Sequence, residues 1–335
     1  MRAVAMTDQR PVLELVELPD PEPGEGEALI RVTGCGICGS DLHVASAVAA
    51  PGMVLGHEIA GVVEVLGPGA AELGAKVGET VAVRPFAGCG HCPSCSRGRA
   101  DHCDEFQLLG LARPGGFAEL TTARAGELFR LPAAVTGVEQ ALVEPLAVAH
   151  RAVVRGGVRP TDSVAILGAG PIGQAVLAWV RQLGVERIVV TDPAPARRRL
   201  ALDLGATAAI DPIGDELGML ELALSGADVV FECAGRPGMV NQAMDLAAVD
   251  GRVVVVGVCL SDDVTFPYTG LRKELDVRYA LYYERADFTD TIDALSAHRL
   301  RLDGYVGDTV ELADLPARFA ELVAGADGGK VVLTP

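Results

Sequence analysis

The sequence predicts an α/β protein with an irregular antiparallel β region, then a parallel sheet joined by crossover helices. Three observations carry this. Residues 1 to about 145 are dense in Gly and Pro. Between those turn residues lie short Val- and Ile-rich runs: "EALIRVTG" (27–34), "EIAGVVEVLG" (58–67) and "ETVAVRP" (79–85). The pattern then changes, and "DSVAILGAGPIGQAVLAWVRQLGVERIVVTD" (162–192) reads strand, glycine turn, helix, strand. Finally, "GADVVFECAG" (226–235) and "GRVVVVGV" (251–258) are apolar runs spaced by helix-like segments at 195–204 and 237–248, the pattern of a parallel sheet with crossovers. Past residue 284 come helix-like stretches at 287–298 and 313–324 and a closing strand, "KVVLTP".

At 335 residues, two domains are the default. Half the residues are hydrophobic and 22% are charged, the balance of a globular chain rather than a disordered one. A net charge of -17 and a pI of about 4.7 repel phosphate backbones and argue against a nucleic-acid partner. No apolar run approaches the ~20 residues that a membrane span requires. No basic start precedes an apolar run, so a cytoplasmic, reducing location is expected; there, clustered cysteines are more often metal ligands than disulfides.

Gly168-Ala169-Gly170-Pro171-Ile172-Gly173 follows an apolar strand and opens a helix. A lone GxGxxG is a weak signal and can be an ordinary strand–helix turn. In this context the glycines allow a tight turn and close approach of a pyrophosphate to the helix N-terminus, as in a Rossmann dinucleotide site. Asp192 ends the next strand nineteen residues after Gly173, where its carboxylate can take the ribose hydroxyls. That position favours NAD over NADP. The counterweight is "ARRRL", whose Arg197, Arg198 and Arg199 could offer a phosphate clamp.

"CGHCPSCSRGRADHC" (89–103) holds Cys89, Cys92, Cys95 and Cys103. Thiolates in a Gly- and Pro-containing loop can wrap a tetrahedral zinc. The spacing departs from a bacterial ferredoxin run, and the rival reading is a pair of disulfides. Four thiolates fill zinc's shell and leave no position for substrate, so a metal held here is structural. His91 and His102 in the loop are not needed as ligands.

The chemistry is expected elsewhere. "GCGICGSDLH" (34–43) and "GHEIAG" (56–61) supply Cys38, Ser40, Asp41, His43, His57 and Glu58. Thiolate, imidazole and carboxylate with one position open make a catalytic zinc site. The rival is a redox dithiol of Cys35 and Cys38, which lacks the surrounding βαβ context. Cys233 and Cys259 read as core residues.

These motifs, with "GGFAEL", "EPLAVAH" and the terminal "GKVVL", resemble the zinc-containing medium-chain alcohol dehydrogenase superfamily across nearly the whole chain. "ALVEPLAVAHRAV" is similar to its polyol, butanediol and threonine dehydrogenase branch. The resemblance implies a GroES-like catalytic β domain at 1–148 and 284–335, interrupted by a Rossmann domain at 149–283. It implies two zinc ions per chain and NAD. Cys38 and His57 would hold the catalytic zinc with Glu58 or Glu144, and Cys89, Cys92, Cys95 and Cys103 the structural one. Asp41 would orient His57. Ser40 and His43 would relay the alcohol proton. Arg197 would lie along the adenine, and Val256 would join the cofactor site. Lys330 would either pair with Glu58 or approach the cofactor. The implied reaction is reversible oxidation of a secondary alcohol, diol or polyol to a ketone, in a homodimer or homotetramer.

"VASAVAAPGMVL" (44–55) lacks the aromatic or charged residues often found there, which suggests a roomy pocket and argues against a small, strongly polar substrate such as threonine. A threonine-, sugar- or cyclitol-type dehydrogenase is the second enzyme reading. A zinc-ribbon regulator or dinucleotide sensor is the third, but it has no need for Cys38, Ser40, His43 and His57 together.

Overall fold

The computed structural model describes residues 1–9, 12–47, 50–326 and 329–335. Residues 48 and 49 of the apolar segment lie outside these. The chain forms two compact units. One comprises Met1–Glu144, Glu284–Ala297 and Val306–Pro335, the other Pro145–Tyr283 and His298–Tyr305.

The first unit opens with β1 (Arg2–Met6), β2 (Leu13–Glu17), β3 (Glu27–Gly36), α1 (Gly39–Ala47), β4 (Glu58–Leu66) and β5 (Thr80–Val83). The short α2 (Pro93–Ser96), β6 (Leu120–Arg124) and β7 (Leu128–Arg130) follow. Helix α3 (Val143–Gly156) leads on. The second unit then alternates β8 (Ser163–Leu167), α4 (Pro171–Gln182), β9 (Arg187–Thr191), α5 (Pro195–Asp203) and β10 (Ala208–Ile210). It continues with α6 (Glu216–Ser225), β11 (Ala227–Glu232), α7 (Met239–Leu246), β12 (Ala247–Val255), α8 (Pro267–Lys273) and β13 (Asp276–Tyr279). The chain returns to the first unit through α9 (Arg285–Ser296), β14 (Val306–Val310), α10 (Leu315–Val323) and β15 (Lys330–Leu333).

In the first unit a seven-stranded sheet runs β14-β15-β3-β4-β5-β7, with β6 on β3. β3 alternates poorly because it pairs with three strands; its register with β4 shifts twice. C-terminal β15 is stitched antiparallel to β3, with Val332 opposite Gly36. The core beneath holds Ile30, Leu55, Val63, Phe117 and Phe319, all nearly or fully inaccessible, and Phe117 meets Phe319 edge-on at 6.4 Å.

The second unit is a six-stranded parallel sheet in the order β10-β9-β8-β11-β12-β13. The order reverses between β8 and β11, and in such sheets ligands bind outside the carboxyl ends of the strands at that point. The strands are continuous apolar runs because helices cover the sheet; Val164, Ile166, Val229 and Phe231 are fully buried or nearly so.

Helices α5, α7 and α10 fall within the helix-like segments read from the sequence and α9 overlaps the one at 287–298, starting two residues earlier, whereas α6 and α8 carry no comparable signal. Cys233 and Cys259 differ from expectation. Cys233 follows β11 and Cys259 lies beyond the end of β12, and both are partly exposed rather than core. Their apolar runs end before the cysteines, because each strand stops where its ladder partner stops.

Candidate metal centres and dinucleotide site

Four cysteines meet in the loop after β5. The Sγ atoms of Cys89, Cys92, Cys95 and Cys103 all lie within 4.8 Å of one another. Local backbone makes this possible. Cys92 caps α2, with Pro93 at its first position, and its sulfur accepts the N–H of Cys95 at 3.4 Å. Cys89 Sγ accepts from Cys92 N at 3.4 Å, and Cys103 Sγ from Cys89 N at 3.2 Å and Glu105 N at 3.3 Å. Amide donors aimed at sulfur stabilise thiolate over thiol. The N–H groups of Cys95 and Asp104 hold the Cys92 thiol down, to about 6. A cradle of amide-bonded sulfurs fits a tetrahedral zinc. Gly88 is required beside it, since a Cβ there would stand 2.5 Å from Cys95 Sγ. His102 turns instead to Asp101 at 2.8 Å, while His91 and Glu105 gather beside Cys89 within 4.8 Å of its sulfur.

A second group joins the start of α1 to the start of β4. Ligating atoms of Cys38, His57 and Glu58 lie within 4.8 Å of one another. His57 and Glu58 are 8% and 0% exposed. Asp41, at 3%, fastens this group from one side: Oδ2 accepts the Cys38 N–H at 2.9 Å, and Oδ1 lies 3.3 Å from His57 Nδ1. Burial depresses the His57 pKa, but the Asp41 charge and hydrogen bond, with Cys38, outweigh it and hold it well above imidazole's ordinary value. The ring thus directs Nδ1 to Asp41, which leaves Nε2 as the ligating nitrogen. Thiol, imidazole and carboxylate with a carboxylate behind the imidazole is a donor set that suits an open zinc site.

Lys330 closes the other side. Its Nζ donates to the Ile37 carbonyl at 2.9 Å and to Glu58 Oε1, and forms an ion pair with Glu58 Oε2. Gly36 makes room for this pair; a Cβ there would meet Glu58 Oε2 at 1.8 Å and Lys330 Cε at 2.9 Å. Glu144, at the start of α3 and 7% exposed, is not among the atoms gathered within 4.8 Å. Ser40 and His43 are both on α1, three residues apart; Ser40 is half-buried and His43 exposed. Residues at this spacing share a helix face.

In the second unit, Gly168 leaves β8 at φ 94° and α4 begins at Pro171 with Gly170 as its cap. Gly173 packs against the turn so tightly that a Cβ would be 1.9 Å from the Gly168 carbonyl oxygen. A Cβ at Gly170, by contrast, would meet only Arg197 Nη1, at 4.0 Å, so its space faces outward. Ile172 sits half-buried on the first turn of α4. Asp192, 4% exposed, accepts the Ala169 N–H on Oδ2 at 2.9 Å and the Ala194 N–H on Oδ1 at 2.8 Å, with Arg197 Nη1 at 3.9 Å from Oδ2. Across the switch point, Glu232 Oε1 accepts from Ala234 N at 2.7 Å and Gly235 N at 2.8 Å. Val256 donates its N–H to the Glu232 carbonyl at 2.8 Å.

Sequence reasoning passed over Glu232 and Asp211. Glu232 ends β11 and Asp211 directly follows β10, as Asp192 follows β9, and an acidic residue closing an apolar run was the available signal.

Two family models match this chain: the alcohol dehydrogenase GroES-like domain over residues 24–133 and the zinc-binding dehydrogenase model over residues 171–297. The chain is 34% identical over 318 residues to 2-dehydro-3-deoxy-L-galactonate 5-dehydrogenase of Pseudoalteromonas atlantica, covering 93% of this chain and 92% of that one. It is 32% identical over 303 residues to sorbitol dehydrogenase of Bacillus subtilis, covering 85% and 84%. A zinc-binding dehydrogenase from Sinorhizobium meliloti 1021, solved bound to NADP, superposes with a TM-score of 0.90 at 30% identity over 100% of this chain and 99% of that one.

Proposed function

Because this chain belongs to the zinc-containing medium-chain alcohol dehydrogenase superfamily, in its polyol and threonine dehydrogenase-like branch, we propose that it reversibly oxidises a secondary alcohol, vicinal diol or polyol to the ketone with NAD. The observation that carries this is the buried Cys38–His57–Glu58 group with Asp41 behind the imidazole. When bound, zinc supplies Lewis-acid polarisation of a hydroxyl oxygen and the nicotinamide accepts the hydride. The chain's own residues do the rest. Cys38 and His57 hold the metal, with Glu58 or Glu144 as third donor. Asp41 fixes the imidazole tautomer. Ser40 takes the alcohol proton, and exposed His43, on the same helix face, passes it to solvent. Gly168, Gly170, Pro171, Ile172, Gly173, Asp192, Arg197 and Val256 take the dinucleotide. Lys330 acts through Glu58 rather than on the cofactor.

Cys89, Cys92, Cys95 and Cys103 hold a second, structural zinc. The catalytic domain is 1–148 with 284–335, around the dinucleotide domain at 149–283. Asp192 sets NAD above NADP, since a 2′-phosphate would meet its carboxylate at close range. A homodimer or homotetramer is supported by exposed apolar side chains at the β13 edge of the sheet, among them Tyr279 at 65% and Leu281 at 50% exposure. No helix among the described residues is long and apolar enough to cross a membrane.

The test is an NAD-linked oxidation screen over simple secondary alcohols, vicinal diols, polyols, cyclitols and β-hydroxy amino acids, read by reduced-nicotinamide absorbance. Turnover confined to β-hydroxy amino acids would favour the threonine-type reading instead. No turnover with any alcohol by a zinc-loaded protein would overturn the proposal.

A further inference from the structure

Beside the dinucleotide turn lies a charged corner. β9 and β10 run parallel with Thr191 opposite Ile210, so Asp192 and Asp211 leave the two strands side by side. The Asp192 N–H donates to the Ile210 carbonyl at 3.2 Å. Arg198, on α5, spans the two. Its Nη1 donates to the Asp192 carbonyl at 2.7 Å and the Pro193 carbonyl at 2.8 Å, and lies 3.3 Å from Asp211 Oδ2. On Asp211's other oxygen, Oδ1 accepts the N–H groups of Ile213 at 3.0 Å and Gly214 at 3.1 Å. Those amides, with the Arg198 charge, keep the Asp211 carboxyl below the usual carboxylate range. Each of the two arginines at this corner thus faces a carboxylate: Arg197 faces Asp192, and Arg198 faces Asp211.

We propose that Asp211 is a specificity-determining residue for the dinucleotide: it offsets the charge of Arg198, and so denies a 2′-phosphate the full attraction of that guanidinium. The inference rests on the dinucleotide reading of this unit. Arginine is the side chain best matched to phosphate, and two already stand where the ribose of NADP would carry one. Asp211 compensates the charge of one and adds a second carboxylate to the repulsion from Asp192. Neither effect touches NAD, whose 2′-hydroxyl is neutral.

Asp211→Asn separates these roles. The amide oxygen can still accept from Ile213 and Gly214, so the turn keeps its bonds, while the charge facing Arg198 is gone. Arg198 stays anchored on the two carbonyls. The experiment is calorimetric binding of 5′-AMP and 2′,5′-ADP to the purified full chain, its Asp211→Asn variant and the Asp211→Asn, Arg198→Met double variant. The wild type should bind AMP in preference to 2′,5′-ADP. Asp211→Asn should keep its AMP affinity and gain about tenfold for 2′,5′-ADP, the scale of one charge-assisted hydrogen bond. Arg198→Met should remove the gain. If Asp211→Asn does not fold, Asp211→Ser, whose hydroxyl can serve the same turn, repeats the test. Unchanged 2′,5′-ADP affinity with AMP binding intact overturns the inference and leaves the dinucleotide reading standing, as does a gain that survives Arg198→Met. Failure of the wild type to bind either fragment overturns both.

Discussion

At the scale of single residues, the most consequential pair joins positions 272 apart, Glu58 and Lys330. They are 0% and 1% exposed, so neither charge has water to fall back on. Removing one partner of such a pair is far costlier than the pair is worth, because the other is left buried and charged. Lys330→Met should therefore lower stability by about 3–5 kcal/mol. Lys330→Met, Glu58→Gln together should recover part of that loss in a denaturant titration. A single variant as stable as the wild type would mean that the pair contributes nothing to folding. The pairing was half legible. Cys38, His57 and the loop cysteines announce themselves because metal chemistry demands those residue types at short spacing. Lys330 carries no such signature, since its partner is chosen by the pairing of β15 with β3, which no local pattern encodes.

At the scale of elements, the β8–α4 turn uses its glycines for different reasons. Gly173 is fixed by packing against the Gly168 carbonyl, whereas the space at Gly170 is open. Gly173→Ala should cost about 1–3 kcal/mol of stability, the range for overpacking against backbone that cannot yield. Gly170→Ala should leave the melting temperature nearly unchanged and weaken NAD binding, since the added methyl lies where the pyrophosphate must approach. Equal loss of stability in both would contradict this division. A second element-scale prediction concerns the foot of the same sheet. Asp228 at the start of β11 accepts the Ser163 hydroxyl and N–H of β8, each at 2.7 Å. Those two bonds, with Arg252 and Arg187 nearby, hold its carboxyl below the ordinary range. A carboxyl depressed on folding contributes stability above its unfolded pKa and loses it as pH falls through the folded one. Asp228→Asn should thus be less stable at neutral pH, by about 1 kcal/mol, and the two proteins should converge in acid. A gap that widens toward low pH would reverse the sign and exclude the mechanism. Element order was legible wherever period and length agreed, as in β8, α4 and β9. The helices α6 and α8 were not, because many of their apolar residues face solvent: Leu217 and Leu224 are 74% and 78% exposed and Leu271 is 75%, while on α6 Leu222 turns into the core. With apolar residues on the exposed side as well, no single core-facing stripe marks them as helices.

At the scale of the whole molecule, two units divide the labour. One gathers both candidate metal centres, and the other presents the switch point of a parallel sheet. The two candidate metal centres are proposed to be distinct in role, the four-cysteine loop holding structure and the Cys38–His57–Glu58 group performing chemistry. The most direct measurement is zinc content and NAD-linked turnover of Cys38→Ser and Cys95→Ser beside the wild type, on whichever alcohol the screen finds. Cys38→Ser should remain folded with about one zinc per chain and lose turnover by about a thousandfold or more, the scale of several kcal/mol of Lewis-acid stabilisation. Cys95→Ser should lose thermal stability along with its metal, because binding at a structural site is folding free energy. Undiminished turnover in a folded Cys38→Ser protein, or equal stability of the two variants, would contradict the account.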